Sequence, residues 1–208
     1  MSDESPDALL AKPTGAALDL LHIVEINEEI KSVVAVAFKI NIMALNAIFL
    51  AKRAGTAALG FGVLSNELRS FSSHLRETML ALNELIPAAV AGVSVLLQDS
   101  RCNAFFAATA RESPANPRLK QVLERREQRT NESLANLARL RRALSSSVDD
   151  AFRLVELGGV LAKSAKIEAA YGAGFSASLS QVSGEFDGIV EEIRGSLDTL
   201  RRSSFFKG

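Results

Sequence analysis

Apolar residues recur along most of this chain at alternating steps of three and four. That period is typical of α-helices that pack side by side as coiled coils. It predicts four helices, running from about Gly15 to Ala54, from about Leu59 to Arg111, from about Pro117 onward and from about Phe175 to Arg202. The predicted fold class is all-α: an elongated antiparallel four-helix coiled-coil bundle made of two tandem helical hairpins.

Breaks in the apolar pattern divide the chain. Residues 1–14 contain two prolines, and we expect them to be a flexible lead. Residues 15–112 form the first predicted hairpin, with its turn at about 54–60, where Gly55 suits the end of a helix. The segment 113–117 holds two further prolines and marks a boundary. Residues 118–206 form the second hairpin, with its turn at about 171–175. Both hairpin turns are expected at one end of the rod, with segment 113–117 and both termini at the other.

The first predicted helix carries two adjacent apolar rows. One row consists of Ile26, Ile30, Val33, Ala37, Ile40, Ala44 and Ala47, and the other of Val34, Phe38, Ile42, Leu45 and Phe49. Because both rows are apolar, we predict that more than one face of this helix is buried toward the tip of the hairpin.

A shift of 118 residues relates the two hairpins. It places Ala44 on Ala162 and Glu67 on Glu185. It also relates the apolar seam of the second helix to that of the fourth. The seam of the second helix consists of Leu64, Leu68, Phe71, Leu75 and Leu82. The shift places these residues, in the same order, on Val182, Phe186, Ile189, Ile193 and Leu200. Because the turn residues and the seam agree on one shift, we infer a duplicated hairpin. A chain with two hairpins builds a four-helix bundle by itself, as a single-chain pseudo-dimer.

Residues 41–69, around the first turn, form the most specific motif of the chain. Asn41-Ile42-Met43-Ala44-Leu45-Asn46-Ala47 is followed by Arg53-Ala54-Gly55, by Gly60-Phe61-Gly62-Val63, and by Glu67 and Arg69. This motif resembles the tip of the cytoplasmic signalling hairpin of bacterial chemoreceptors, the methyl-accepting chemotaxis proteins. In that family the tip has no catalytic role and binds other receptors, a coupling protein and a histidine kinase.

The resemblance implies a function in bacterial chemotaxis signalling. It implies a soluble chemoreceptor-like protein whose tip binds a chemotaxis histidine kinase, its coupling protein and other chemoreceptors, and which transmits a signal by conformational change. Self-association through the tip is a further expectation. Phe38, Ile42, Arg53 and Val63 match positions that the family uses for contacts between receptor dimers. The full set of predicted protein-binding residues is Phe38, Asn41, Ile42, Leu45, Asn46, Arg53, Phe61, Val63, Glu67 and Glu168.

The tip also departs from the family pattern. Leu50 and Thr56 stand where the family has glutamates, and Leu59 replaces a basic residue. The second hairpin keeps one of those glutamates as Glu168 but has Tyr171 in place of the arginine. The lost charges favour a second interpretation, in which the chain is a structural or regulatory helical scaffold without kinase coupling.

Composition argues against several other classes of function. Lys+Arg and Asp+Glu both number 24, and the chain lacks the basic stripe with interleaved aromatic residues that nucleic-acid binding favours. The single cysteine suits a reducing compartment. The longest apolar stretches, Ile40–Ala51 and Pro87–Leu97, are shorter than the roughly 18 residues of a membrane span. We therefore expect a cytoplasmic protein without a membrane span.

Residues suited to catalysis are sparse. His22 and His74 have no metal ligand at suitable spacing, and Cys102 has no activating neighbour in sequence, so we predict neither enzymatic activity nor a cofactor. The pair Glu191-Glu192 partly matches the family's methylation sites but lies too close to the second turn, which favours an ordinary exposed acidic face. A third alternative is a ligand-binding bundle with a pocket lined by Cys102 and the Phe105-Phe106 pair.

Overall fold

The structure, a computed structural model, describes residues 15–112 and 116–207. Within these residues it contains no strand and four long helices, α1 (Ala16–Ala54), α2 (Leu59–Glu112), α3 (Pro117–Ala170) and α4 (Ser176–Arg201). Short 3-10 turns cover Gly55–Ala58, Ala173–Phe175 and Ser204–Lys207. The helix ends lie within two residues of the predicted ones. The predicted lead, 1–14, and most of the predicted turn 113–117 lie outside the described residues.

The four helices form an antiparallel bundle. α1 packs against α2 and α4, and α3 packs against the same two helices. The two longest helices, α2 and α3, have 54 residues each, which corresponds to roughly 80 Å at 1.5 Å per residue. The predicted all-α bundle of two tandem hairpins is therefore confirmed.

Local sequence explains where the helices end. Gly55 has a φ of 68°, which is accessible to glycine at little cost, and its N–H donates back to the carbonyls of Ala51 and Lys52. Asn116 caps α3, since its side chain accepts from the backbone N–H groups of Arg118 and Leu119, and Pro117 follows at the first helical position.

The 118-residue shift holds for the buried positions as well as for the sequence. The buried positions of α1 from Ile26 to Ala51 map onto α3 positions that are almost all buried too. The buried positions of α2 from Phe61 to Leu82 map in the same way onto α4 positions from Leu179 to Leu200. Both hairpin turns lie at the same end of the bundle, as a single-chain pseudo-dimer requires.

Two close contacts hold the first hairpin against the second. A Cβ atom placed on Gly158 in α3 would lie 2.5 Å from the ring of Phe71 in α2. Near the tip, a Cβ on Gly60 would clash with the carboxylate of Glu168. Glycine is therefore required at Gly158 by the close approach of the rigid Phe71 ring, whereas at Gly60 the nearby atoms are the end of the flexible Glu168 side chain, which could move aside.

The prediction that two faces of α1 are buried toward the tip is wrong. The row that contains Ala37, Ala44 and Ala47 is fully buried. In the other row, Phe38, Ile42 and Phe49 are between 43% and 63% exposed, and Val34 and Leu45 are half-buried. A helix of a four-helix bundle has neighbours on one side only, so the adjacent row faces outward.

The start of α1 and the end of α4 do not lie level with the start of α3, whereas both termini were predicted at the same end as segment 113–117; residues 1–14 lie outside the described residues. At the start of α1, Asp19 accepts from Arg141 at 2.7 Å, and at the end of α4, Arg201 lies 2.9 Å from Asp149. Both sites lie far along α3 from its start at Pro117. Beyond them α2 and α3 continue as a pair, joined by Asp99 with Arg126 and Arg129. Residues 124–133 are polar all round and cannot line a four-helix core, and among the described residues only α2 and α3 run there.

One helical segment is long and apolar enough to cross a membrane. An 18-residue window within Ala16–Glu112 has a mean hydropathy of 2.1, and 33% of it is buried inside the bundle. A single such helix is weak evidence for a membrane span, since the core helix of a bundle has a similar composition.

The Phe71–Gly158 contact can be tested by substitution. We expect Gly158→Ala to lower the free energy of unfolding by about 1–2 kcal/mol relative to Gly159→Ala, because the new methyl group overpacks a buried ring. Gly159 is the matched control: it lies in the same helix, and its Cβ would meet Val190 at an ordinary 3.9 Å. Urea unfolding followed by circular dichroism measures both variants. Equal stabilities would contradict the close contact.

Candidate protein-binding site

The outward-facing side of α1 near the first turn carries an exposed apolar row. We call Phe38, Ile42, Leu45 and Phe49 the α1 row. Its members follow one another at steps of four, three and four, so they share one face of the helix. The core positions on the opposite side of this helix are largely alanines. The larger apolar side chains of this segment therefore lie outside the bundle, where a partner can reach them.

α2 extends the exposed apolar surface on the other side of the turn. Leu59 and Val63 are exposed, at 67% and 61%. Gly62, next to Val63, lies against Ala51 at the end of α1, where an added Cβ would be 3.4 Å from the alanine Cβ. The α1 row together with Leu59 and Val63 forms what we call the tip surface.

Polar residues surround the tip surface. Asn41 is half-buried, and its Oδ1 accepts from the Nε of Arg69 at 3.3 Å, which links α1 to α2. Asn46, Arg53 and Glu67 are exposed. Lys39 and Lys52 are also exposed on α1, so the α1 row lies among three cations. Of the predicted binding residues, most therefore lie on or beside one surface at the tip.

Phe61 and Glu168 are placed differently from the other predicted binding residues. Phe61 is fully buried in the core, so its side chain cannot contact a partner, and it shapes the tip only by packing. Its carbonyl accepts from the buried hydroxyl of Ser65 at 2.8 Å. Glu168 belongs to the second hairpin and is half-buried against Gly60, where it contributes to the contact between the hairpins.

The structure does not support the alternative of a ligand pocket. Phe105 is 70% exposed and makes an edge-to-face contact with Phe106, whose ring lies under the guanidinium of Arg126 at 4.9 Å. These rings therefore do not enclose a cavity with Cys102, which is half-buried. Among the described residues, no group of three His, Cys, Asp or Glu side chains is placed to hold a metal ion.

Sequence reasoning missed part of the exposed apolar surface. It assigned Phe49 to a buried row and treated Leu59 only as a lost charge, whereas both side chains are exposed. It also gave no role to an outward-facing row on α3. The heptad pattern alone does not identify these residues as exposed, because two adjacent apolar rows of one helix have the same period.

Comparison with family models, with curated proteins and with solved structures gave no match to this chain.

The difference between Phe61 and the exposed tip residues leads to a stability prediction. We expect Phe61→Ala to lower the free energy of unfolding by about 3–5 kcal/mol, because it leaves a cavity in the core. Ile42→Ala should change it by less than about 0.5 kcal/mol, as is usual for a surface position. Urea denaturation of both variants and the unsubstituted chain measures this. A comparable loss in both variants would contradict the assignment of Ile42 to the surface.

Proposed function

We propose that this chain is a chemoreceptor-like signalling protein that acts through contacts made by its tip surface. The proposed partners are a chemotaxis histidine kinase, its coupling protein and other chemoreceptors. The proposal rests on the resemblance of residues 41–69 to the chemoreceptor tip, and it assigns the chain no catalysis of its own.

The observation that carries the proposal is the exposure of the apolar tip surface. Phe38, Ile42 and Val63 stand at the positions that chemoreceptors use for contacts between dimers, and all three are exposed on this bundle. Apolar side chains grouped on a surface favour a partner because covering them removes apolar area from water. The same side chains, had they been buried in the core, would have argued against any role in recognition.

The proposed output is conformational. A partner that binds one packing of the bundle better than another shifts the population toward that packing. The buried positions of α1 near the tip are mostly alanines. Because an alanine has no side chain beyond Cβ, α1 can shift slightly against the larger residues of α2 and α4 without changing a rotamer of its own, and such a shift is the proposed response to a partner.

A non-signalling scaffold is the second candidate, and two observations favour it. Leu50 stands at a glutamate position of the family, and here it packs against the core and offers no charge. In the second hairpin the corresponding Glu168 is engaged with Gly60. Of the two carboxylates that a family partner would contact, one is replaced by Leu50, and the other, that of Glu168, is half-buried beside Gly60. A scaffold would need neither.

A capture experiment tests the proposal. The purified, tagged chain is incubated with lysate of the source organism, and Ile42→Glu is run in parallel. We expect the unsubstituted chain to recover a histidine kinase or a coupling protein and the variant to lose it at least ten-fold, because a buried, unpaired carboxylate is costly at an apolar contact. Recovered proteins are identified by mass spectrometry.

A matched control separates the tip from the rest of the surface. Val24 lies on the same helix, is also an exposed apolar residue and is roughly 27 Å from Ile42 along the helix axis. Val24→Glu should recover the same proteins as the unsubstituted chain. Recovery of neither kinase nor coupling protein, with another protein captured through the tip, would instead support the scaffold.

A further inference from the structure

The second hairpin has an exposed apolar row of its own, which the proposed function does not use. Leu157, Val160 and Ile167 lie on α3, Tyr171 follows as its C-cap residue, and all four are between 61% and 73% exposed. We call them the α3 row. They follow the heptad spacing, with Ser164 between Val160 and Ile167, so they share one face of the helix.

The two rows stand at the same level of the bundle and on different sides of it. The 118-residue shift maps Ile42 onto Val160 and Phe49 onto Ile167, and the core positions around them are buried in both halves. α1 and α3 are not neighbours, since each packs between α2 and α4. The outward faces of α1 and α3 therefore point away from each other.

Each row has the size of a weak protein contact. The α3 row, whose four side chains are each about two-thirds exposed, and the α1 row, whose side chains are about half exposed, each leave on the order of 400 Å² of apolar surface, which is close to the largest patch of a typical monomer. Pairing one row with another would bury roughly 800–1,000 Å² in total. That area lies in the range of transient contacts.

Charge decides which rows fit together. The α1 row lies among Lys39, Lys52 and Arg53, and the shift of 118 replaces these cations by Leu157, Ala170 and Tyr171 on α3. If two copies met through their α1 rows with their tips level, Arg53 would face Arg53. An α1 row against an α3 row instead places Arg53 near the ring of Tyr171, a favourable cation–π arrangement.

A second charge pair supports the same match. Glu156 is exposed beside the α3 row, at the position equivalent to Phe38. With the tips level, it would lie near Lys39 of the other copy, so opposite charges would meet there. Two exposed lysines also lie beside the α3 row: Lys163 is at the level of the apolar Leu45, and Lys166 lies 3.6 Å from Asp187 of its own molecule.

We propose that the α1 row of one copy of this chain binds the α3 row of a second copy, side by side and with both tips level. The inference rests on the proposed function in one respect, which is that both assign a binding role to the α1 row. Because the contact joins two different faces, each molecule keeps one free face after the first contact. Such a heterologous contact continues into open assemblies unless its geometry closes a ring.

Two complementary variants test the pairing. Ile42→Glu disables the α1 row and Val160→Glu disables the α3 row, and both residues are exposed, so the fold should tolerate them. In sedimentation-velocity experiments over a concentration series, we expect the unsubstituted chain to grow beyond a dimer and each variant alone to stay monomeric. An equimolar mixture of the two variants should form a one-to-one dimer, because only one intact pair of faces remains.

Several outcomes would overturn the proposal. If Val160→Glu alone associates as the unsubstituted chain does, the contact joins two α1 rows. If the unsubstituted chain remains monomeric at every concentration, the rows do not bind each other. If it is monomeric and instead sediments with vesicles of phosphatidylglycerol and phosphatidylcholine, the rows contact lipid. Circular dichroism of both variants verifies that they are folded.

The role of the aromatic ring has a separate readout. Tyr171→Leu keeps an apolar side chain but removes the cation–π partner of Arg53, and we expect the self-association constant to fall about two- to five-fold. In an Arg53→Gln background the same substitution should have no further effect. An equal loss in both backgrounds would contradict the Arg53–Tyr171 contact.

This test can fail independently of the proposed function. It uses the purified chain alone, whereas the proposed function is measured by capture of a kinase or coupling protein. Val160→Glu leaves the α1 row intact and should capture the same proteins as the unsubstituted chain. Loss of self-association with capture retained would overturn only the pairing of rows, and the reverse result would overturn only the proposed partners.

Discussion

The interlocking of small side chains on α1 and α3 with large ones on α2 and α4 is the constraint on which the rest of this structure depends. Near the tip the core positions of α1 and α3 are mostly alanine, with Gly158 among them. The facing positions of α2 and α4 include Phe61, Leu68 and Phe186. A large residue on one helix fills the space that a small residue on the next leaves open, as dense packing requires. With their core faces occupied by alanines, α1 and α3 carry their larger apolar residues outside, and this is how the bundle acquires its exposed rows.

The sequence predicts the helices and most of the core, because a repeat of three and four identifies which residues share a face. It does not decide which of two adjacent apolar faces is inside. Phe38 and Phe49 are more apolar than Ala37 and Ala47, yet the alanines are buried and the phenylalanines are exposed. That choice depends on the side chains of α2 and α4, which lie far away in sequence. Resemblance to a motif likewise identifies a residue type and not the side of the helix on which its contacts lie: Phe61 is buried, and Glu168 is half-buried beside Gly60.

Two hairpins in one chain remove a restriction that acts on dimers of identical subunits. In a symmetric dimer any substitution appears on both faces, so the faces cannot differ. Here the core positions correspond under the 118-residue shift, whereas the surface positions have diverged: Arg53 corresponds to Tyr171, and Lys52 to Ala170. Burial explains the contrast, because a core position is restricted by its neighbours in the bundle and a surface position is not. Each hairpin can therefore present a surface chemistry of its own on a shared core.

The contacts between the hairpins also limit how freely the two surfaces can change. Glu168 lies against Gly60 only a few residues from Val63, and the ring of Phe71 covers Gly158 beside Leu157 and Val160. Both contacts join α2 to α3, and each lies next to an exposed apolar residue that the proposals above assign to recognition. A rotation or slide of α3 against α2 would have to break the Phe71–Gly158 contact, because the ring has no room to move inward, and it would also move the Glu168 side chain away from Gly60. These two contacts therefore limit the movement of α3, with its exposed row, relative to Leu59 and Val63 on α2.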